Sequence, residues 1–228
     1  MNQDILDRTA AFVEQTLSAD SSGHDWYHVR RVWQVARQIG RAESADPYVV
    51  ELAALLHDIA DWKFHDGDAA AGPRAARAWL TELAVDAATI DHVCEIIERL
   101  SFKGSGVADE MPLLEGRVVQ DADRLDAIGA IGIARTFAYG GHVGQPIHDP
   151  LVPPQRHDSF EAYKNSRGTS INHFYEKLLL LKDRMQTPTG RRMAEDRHRY
   201  LEQFLERFFQ EWNAAPGAPC LPSQSAGR

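Results

Sequence analysis

Two histidines and a set of aspartates stand where a helical sequence has no ordinary use for them. His57 and Asp58 sit among Val49, Val50, Leu52, Ala53, Leu55, Leu56, Ile59 and Ala60, in a segment that is apolar almost all round. Asp121, Asp123 and Asp126 interrupt a second apolar set, Val118, Val119, Ala122, Leu125, Ile128 and Ile131. His28 lies on the apolar stripe of a third segment, with Val32, Val35, Ala36 and Ile39. Burying an unpaired carboxylate is costly even after relaxation, so these groups need a shared partner. A divalent cation answers that need, because it satisfies imidazole and carboxylate lone pairs together. The ligands on offer are His28, the pair His57 and Asp58, and one aspartate of the 121–126 cluster. Taken singly, each residue also has a plainer explanation: a core histidine, a helix-internal pair, or a salt bridge from Asp123 to Arg124 or Arg31.

The elements that must position these residues read as helices, with strand alternation nearly absent. Amphipathic segments cover about residues 4–18 and 25–43. Asp46 and Pro47 form a helix start, an N-cap followed by a proline that lacks an N–H the first turn does not need. The helix they open, PYVVELAALLHDIADW, is buried by its composition. Two more helices are expected over 68–84 and 86–100, and one long buried helix over RVVQDADRLDAIGAIGIARTFAYGG. Final helices are expected over 170–186 and 189–213. The stretch 140–169, rich in Gly, Pro, His and Asp, is too long for a mere connector. The fold expected is all-α, a single helical bundle over residues 1–213 followed by a disordered Pro/Gly/Ser-rich tail, 214–228.

Composition narrows the partners. The 228 residues carry 25 Lys+Arg against 33 Asp+Glu, a net charge of −8, which disfavours nucleic acid and anionic membranes as partners. Hydrophobic residues at 43% and charged residues at 25% are globular values that exclude wholesale disorder. Two cysteines, Cys94 and Cys220, exclude a disulfide framework and fit a reducing compartment. The acidic N-terminus is not a signal peptide, and no apolar run reaches membrane-spanning length, so the expected location is the cytoplasm.

With those residues set out, the order His28, then His57-Asp58, then an aspartate 65 residues beyond Asp58 resembles the H…HD…D pattern of the HD-domain metal-dependent phosphohydrolases. The contexts HDWYHVRRV at 24–32, LLHDIADWKF at 55–64 and QDADRLDAIGAIG at 120–132 are similar as well. The resemblance implies an all-helical HD-type bundle whose metal site lies between buried helices. It implies His28, His57, Asp58 and Asp123 as ligands, with Asp121 the rival of Asp123. The chain also resembles the small stand-alone bacterial branch associated with nucleoside-triphosphate pyrophosphohydrolase activity, through LSFKG at 100–104, HFYEKLLLLKDRM at 173–185 and GRRMAEDRHRYLEQFLERF at 190–208. Two imidazoles and two carboxylates form a mixed N/O set suited to one Mn²⁺, Mg²⁺, Fe²⁺, Ni²⁺ or similar ion, whereas closed structural zinc sites usually take sulfur.

Phosphoryl transfer with such an ion asks for cations around the developing charge and little covalent work. Arg31, one turn beyond His28, Lys63 and Lys103 are the expected cations. Asp61 is placed to orient the attacking water or act as general acid/base. Asp126 and Asp121 are expected either to fix histidine tautomers or to form salt bridges. Lys164 and Arg167 would suit phosphate contact from the 140–169 segment. His65, His92, His142, His148, His157 and His173 are weaker candidates.

No G-x-x-x-x-G-K-[ST] loop is present, which excludes a P-loop ATPase. The sequence IAD after the HD pair departs from the alarmone-hydrolase branch, and the GYP-type extension of the cyclic-dinucleotide phosphodiesterases is missing. The expected function is therefore hydrolysis of small phosphorylated molecules, foremost nucleoside or deoxynucleoside triphosphates cleaved to monophosphate and pyrophosphate. The alternatives are a nucleoside 5′-monophosphatase or other phosphate-ester hydrolase and, in another class, a non-catalytic regulatory protein that binds nucleotide or metal.

Overall fold

The computed structural model describes residues 2–18, 25–60, 68, 70–100, 111–155 and 168–214. Every regular element among the described residues is a helix. They run α1 (Asn2–Leu17), α2 (Trp26–Glu43), α3 (Pro47–Leu56), α4 (Ala71–Glu82), α5 (Ala87–Arg99), α6 (Leu114–Asp126), α7 (Gly129–His142), α8 (Ser170–Glu176), a 3-10 helix (Leu178–Arg184) and α9 (Pro188–Trp212). The expected tail falls, from residue 215 on, outside the described residues.

Local chemistry starts these helices. Asp25, Asp46 and Asp86 accept from the backbone N–H groups of His28, Tyr48 and Thr89, and Thr187 accepts from Gly190. Each such cap is worth about 1 kcal/mol. Helix α2 packs on both α3 and α6, and these three enclose the centre of the core. Val29, Val32, Ala36 and Ile39 of α2 meet Leu52 and Leu55 of α3 and Val118, Val119 and Leu125 of α6, all sealed from solvent. A Cβ on Gly40 would lie in ordinary contact with both methyls of Val50, 3.5 Å away, where α2 packs on α3.

Three expected helices are shorter than the periodicity suggests. Helix α3 stops at Leu56, and residues 57–60 form turns. The His57 ring takes the Ala54 carbonyl at 2.8 Å, so a side chain replaces the backbone partner that would continue the helix. The long helix through 117–141 breaks after Asp126 into α6 and α7. Gly129 makes the corner at φ +75°, a conformation open to glycine at no steric cost. Beyond the break Ile131 is exposed rather than buried. The helix expected over 170–186 becomes α8 and the 3-10 helix, because Leu178 and Leu181 are both buried and a three-residue period puts them on one face.

Helix α9 packs on α7, α6 and the 3-10 helix. Leu201 and Leu205 are buried, and Phe204 stacks on Phe174 of α8 with centroids 5.5 Å apart. Two polar ties fasten α9 to α6. Asp121 accepts from the N–H of Gln186 and from both the N–H and the hydroxyl of Thr187, at 2.7–2.8 Å. Arg197 donates to the Leu125 carbonyl. No helix among the described residues is long and apolar enough to cross a membrane.

Candidate metal centre

Three helices bring the expected ligands to one place. His28 comes from the first turn of α2, His57 and Asp58 from the turn that ends α3, and Asp123 from the third turn of α6. The Nε2 atoms of His28 and His57 lie 3.3 Å apart. Asp58 Oδ2 is 3.3 Å from the first and 3.5 Å from the second. Asp123 Oδ1 is 3.5 Å from His28 Nε2 and 4.0 Å from His57 Nε2. The histidine side chains are buried, whereas the Asp123 side chain is 40% exposed, so the cluster opens to solvent on that side.

Hydrogen bonds set the ring tautomers. His57 Nδ1 meets the Ala54 carbonyl, which can only accept, so Nδ1 carries the proton. His28 Nδ1 lies 2.7 Å from Asp126 Oδ2 and donates for the same reason. Both Nε2 atoms then turn lone pairs toward two carboxylate oxygens. His28, His57 and Asp58 bring three ligand atoms within 4.8 Å of one another, with Asp123 Oδ1 beside both imidazoles, and such acceptors repel one another unless a cation stands among them. This donor set fits a divalent ion with N/O ligation.

Without metal, a proton supplies that cation. Burial disfavours charge on His28, but hydrogen bonds to Asp126 and Asp58 outweigh it and push the pKa up to about 9. Burial likewise works against the Asp126 carboxylate, yet His28 and Arg31 hold it far below the usual carboxylate range.

Asp126 is the hub behind the cluster. Arg31 grips it with Nε to Oδ1 at 2.6 Å and Nη2 to Oδ2 at 3.0 Å. Arg135 of α7 donates Nη1 to Oδ2 at 2.8 Å. Of the two roles expected for Asp126, it fills both at once, fixing a tautomer and pairing with arginine. Arg135 escaped the sequence reading, although a signal was present: it is the only Asp, Glu, Lys or Arg in the otherwise uncharged α7, GAIGIARTFAYGGH.

Asp121 is drawn away from the cluster. Two residues before Asp123, it points about 200° around α6 and spends its oxygens on Gln186 and Thr187. Asp61, Lys63, Lys103, Lys164 and Arg167, with His65 and His157, lie outside the described residues. Of the weaker histidines, His92 faces Glu115 with Nε2 3.4 Å away, and His142 closes α7. His148 packs against Phe209 and Trp212. Burial, reinforced by Lys177, pushes the pKa of His173 down to about 3. None of these four is grouped with a metal-binding set among the described residues, whereas His28, His57 and Asp58 are, their ligand atoms all within 4.8 Å of one another.

The chain is similar to a known family and to solved structures. The HD domain model matches residues 25–128, which contain all four cluster residues. The YpgQ protein of Bacillus subtilis is 41% identical over 204 residues, 86% of this chain and 88% of that one. The crystal structure of an HD-superfamily hydrolase from Bacillus thuringiensis superposes with a TM-score of 0.74 at 46% identity, covering 94% of this chain and all of that one. The crystal structure of B. subtilis YpgQ in complex with ADP superposes with a TM-score of 0.72 at 35% identity, covering 93% and 98% of the two chains.

Proposed function

We propose that this chain, which belongs to the HD-domain family of metal-dependent phosphohydrolases, hydrolyses nucleoside or deoxynucleoside triphosphates to the monophosphate and pyrophosphate. One divalent ion is held by His28, His57, Asp58 and Asp123. The observation that carries this reading is the convergence of two imidazole lone pairs and two carboxylate oxygens on one point beside an opening. When bound, the ion supplies Lewis acidity at phosphorus and a nucleophile at neutral pH.

The chain's own residues do the rest. His28 and His57 keep Nδ1 protonated on Asp126 and Ala54, which fixes the direction of both Nε2 lone pairs. Arg31 is proposed as the cation that meets phosphate. Its Nε and Nη2 are on Asp126, its side chain is one-third exposed, and Nη1 has no partner among the described residues. A guanidinium held rigidly in this way offers directed N–H groups to phosphoryl oxygens. From the sequence, Asp61 is proposed as general acid/base, and Lys63, Lys103, Lys164 and Arg167 as further phosphate contacts.

The nucleotide part of the reading is supported by the ADP complex of B. subtilis YpgQ and by the net charge of −8, which suits a small metal-complexed anion better than a long nucleic acid. The test is a panel of nucleoside mono-, di- and triphosphates with Mn²⁺, scoring pyrophosphate and orthophosphate separately, with Asp58→Ala alongside. Pyrophosphate from triphosphates, lost in the variant, is expected. Orthophosphate from monophosphates would replace the reading with a phosphatase on the same centre. Nucleotide binding without turnover would replace it with a regulatory binding protein.

A further inference from the structure

The Asp126 carboxylate is held by two guanidinium groups and an imidazole at once. Its Oδ2 receives His28 Nδ1, Arg31 Nη2 and Arg135 Nη1, at 2.7, 3.0 and 2.8 Å, and its Oδ1 receives Arg31 Nε at 2.6 Å. Two guanidinium groups and one imidazole N–H thus share one carboxylate. A single arginine fork would be enough to hold an aspartate. The two arginines also differ in origin. Arg31 shares α2 with His28, whereas Arg135 comes from α7, a helix that brings no residue to the metal cluster.

Arg135 Nη1 is also 3.2 Å from His28 Nδ1. Both nitrogens donate, so this approach is not a bond between them; they share Oδ2 as acceptor. The two donors converge on one oxygen and leave the imidazole N–H a single target. Were Arg31 the sole arginine on Asp126, any shift of its fork as Nη1 meets a phosphate would also loosen the carboxylate, and with it the ring of His28. With Arg135 in place, Oδ2 keeps a charged donor throughout.

We infer that Arg135 is a positioning residue of the metal centre, holding Asp126 and thereby His28, so that Arg31 can engage a substrate phosphate without loosening the metal ligand. The corner at Gly129 makes this reach possible. It turns the chain back after Asp126, and the Arg197 side chain lies so close that a Cβ on Gly129 would sit 3.1 Å from its Cγ. Arg135 therefore approaches Asp126 from a corner that α9 also braces.

The inference rests on the metal-centre reading, so its test uses Mn²⁺ alone and no nucleotide. Calorimetric titration of Mn²⁺ into the full-length protein is compared for wild type, Arg135→Gln, Arg135→Lys and Asp58→Ala, with the metal-free melting temperature of each. Losing a partner behind a ligand weakens metal binding by roughly 10–100-fold. Arg135, one step further back, is expected at about tenfold for glutamine and about threefold for lysine. A structural staple alone would shift melting temperature and leave affinity unchanged. Either Arg135 variant folded and binding Mn²⁺ as wild type does overturns the inference. If the glutamine variant fails to fold, the lysine variant decides on the same scale. Retention of Mn²⁺ by Asp58→Ala would overturn the metal-centre reading and this inference with it, whereas loss there with wild-type affinity in the Arg135 variants overturns only the role of Arg135.

Discussion

Asp121 and Asp123 are two positions apart on α6 and face opposite ways: Asp123 turns Oδ1 to His28 Nε2 at 3.5 Å, while Asp121 holds the start of α9 through Thr187 at 2.7 Å. Nothing in their side chains distinguishes them. The helix does, by turning 100° per residue.

Their alanine variants should therefore fail in different ways. Asp121→Ala strands the N–H groups of Gln186 and Thr187 in a buried place, and each unmade bond costs about 1–3 kcal/mol. A clear drop in melting temperature is expected, with Mn²⁺ still bound at saturation. Asp123→Ala should bind Mn²⁺ more than about 100-fold more weakly, since it removes a ligand and not merely a supporting group, with a near-normal melting temperature for the metal-free protein. Titration calorimetry and thermal melts on the same two samples decide, and an exchange of the two phenotypes would reverse the assignment.

A third variant tests the same tie from the other helix. A Cβ on Gly190 would collide with Asp121 Oδ2 and lie against Thr187 Oγ1. Gly190→Ala should destabilise by about 1–3 kcal/mol, the usual cost of overpacking a tight site. Denaturant unfolding measures it. A neutral or stabilising result would mean that Asp121 can move aside, contrary to the three hydrogen bonds it accepts from Gln186 and Thr187.

The metal-free protein should show a pH signature of His28. Its pKa rises from an ordinary 6.5 to about 9, so the folded state gains from the proton. That stabilisation is complete below about pH 6.5 and fades as pH climbs toward about 9. Melting temperatures of the metal-free protein should fall across this interval. The same proton competes with the ion, so Mn²⁺ affinity should rise with pH over the same range, and titrations in buffers of different ionisation enthalpy should show proton release on binding. Equal heats in all buffers near neutral pH would contradict this.

Arg31→Gln should lower kcat/KM by about 10–100-fold, as expected for losing a charged hydrogen bond worth about 1.5–3 kcal/mol. Because Arg135 still holds Asp126, Mn²⁺ affinity should fall far less than kcat/KM does. Steady-state kinetics beside a Mn²⁺ titration gives the split. Equal losses in both would make Arg31 a support of the ion rather than a contact for phosphate.

The His/Asp cluster was legible because its residues violate the pattern around them: a histidine or aspartate inside an apolar helical stripe has to be accounted for. The caps at Asp46 and Asp86 were legible for a similar reason, since side chain and helix start adjoin in sequence. What periodicity could not reveal were the breaks. Gly129 ends a helix through a backbone angle, and His57 ends one through a side-chain bond to Ala54, yet neither disturbs the 3.6-residue rhythm. Arg135 was missed because its partner, Asp126, lies across the Gly129 corner. Asp121 and Asp123 could be ranked only by resemblance, because the Thr187 that separates their roles is 66 residues from Asp121.

Ribosomes release this chain from its N-terminus, so His28, His57, Asp58 and Asp123 all emerge before Thr187 and Arg197, which fasten α6 through Asp121 and Leu125. A nascent chain thus owns every ligand before it owns the brace that fixes the helix bearing the last of them. The segment 25–128 contains all four residues of the cluster but neither Thr187 nor Arg197, which tie α6 to the end of the fold.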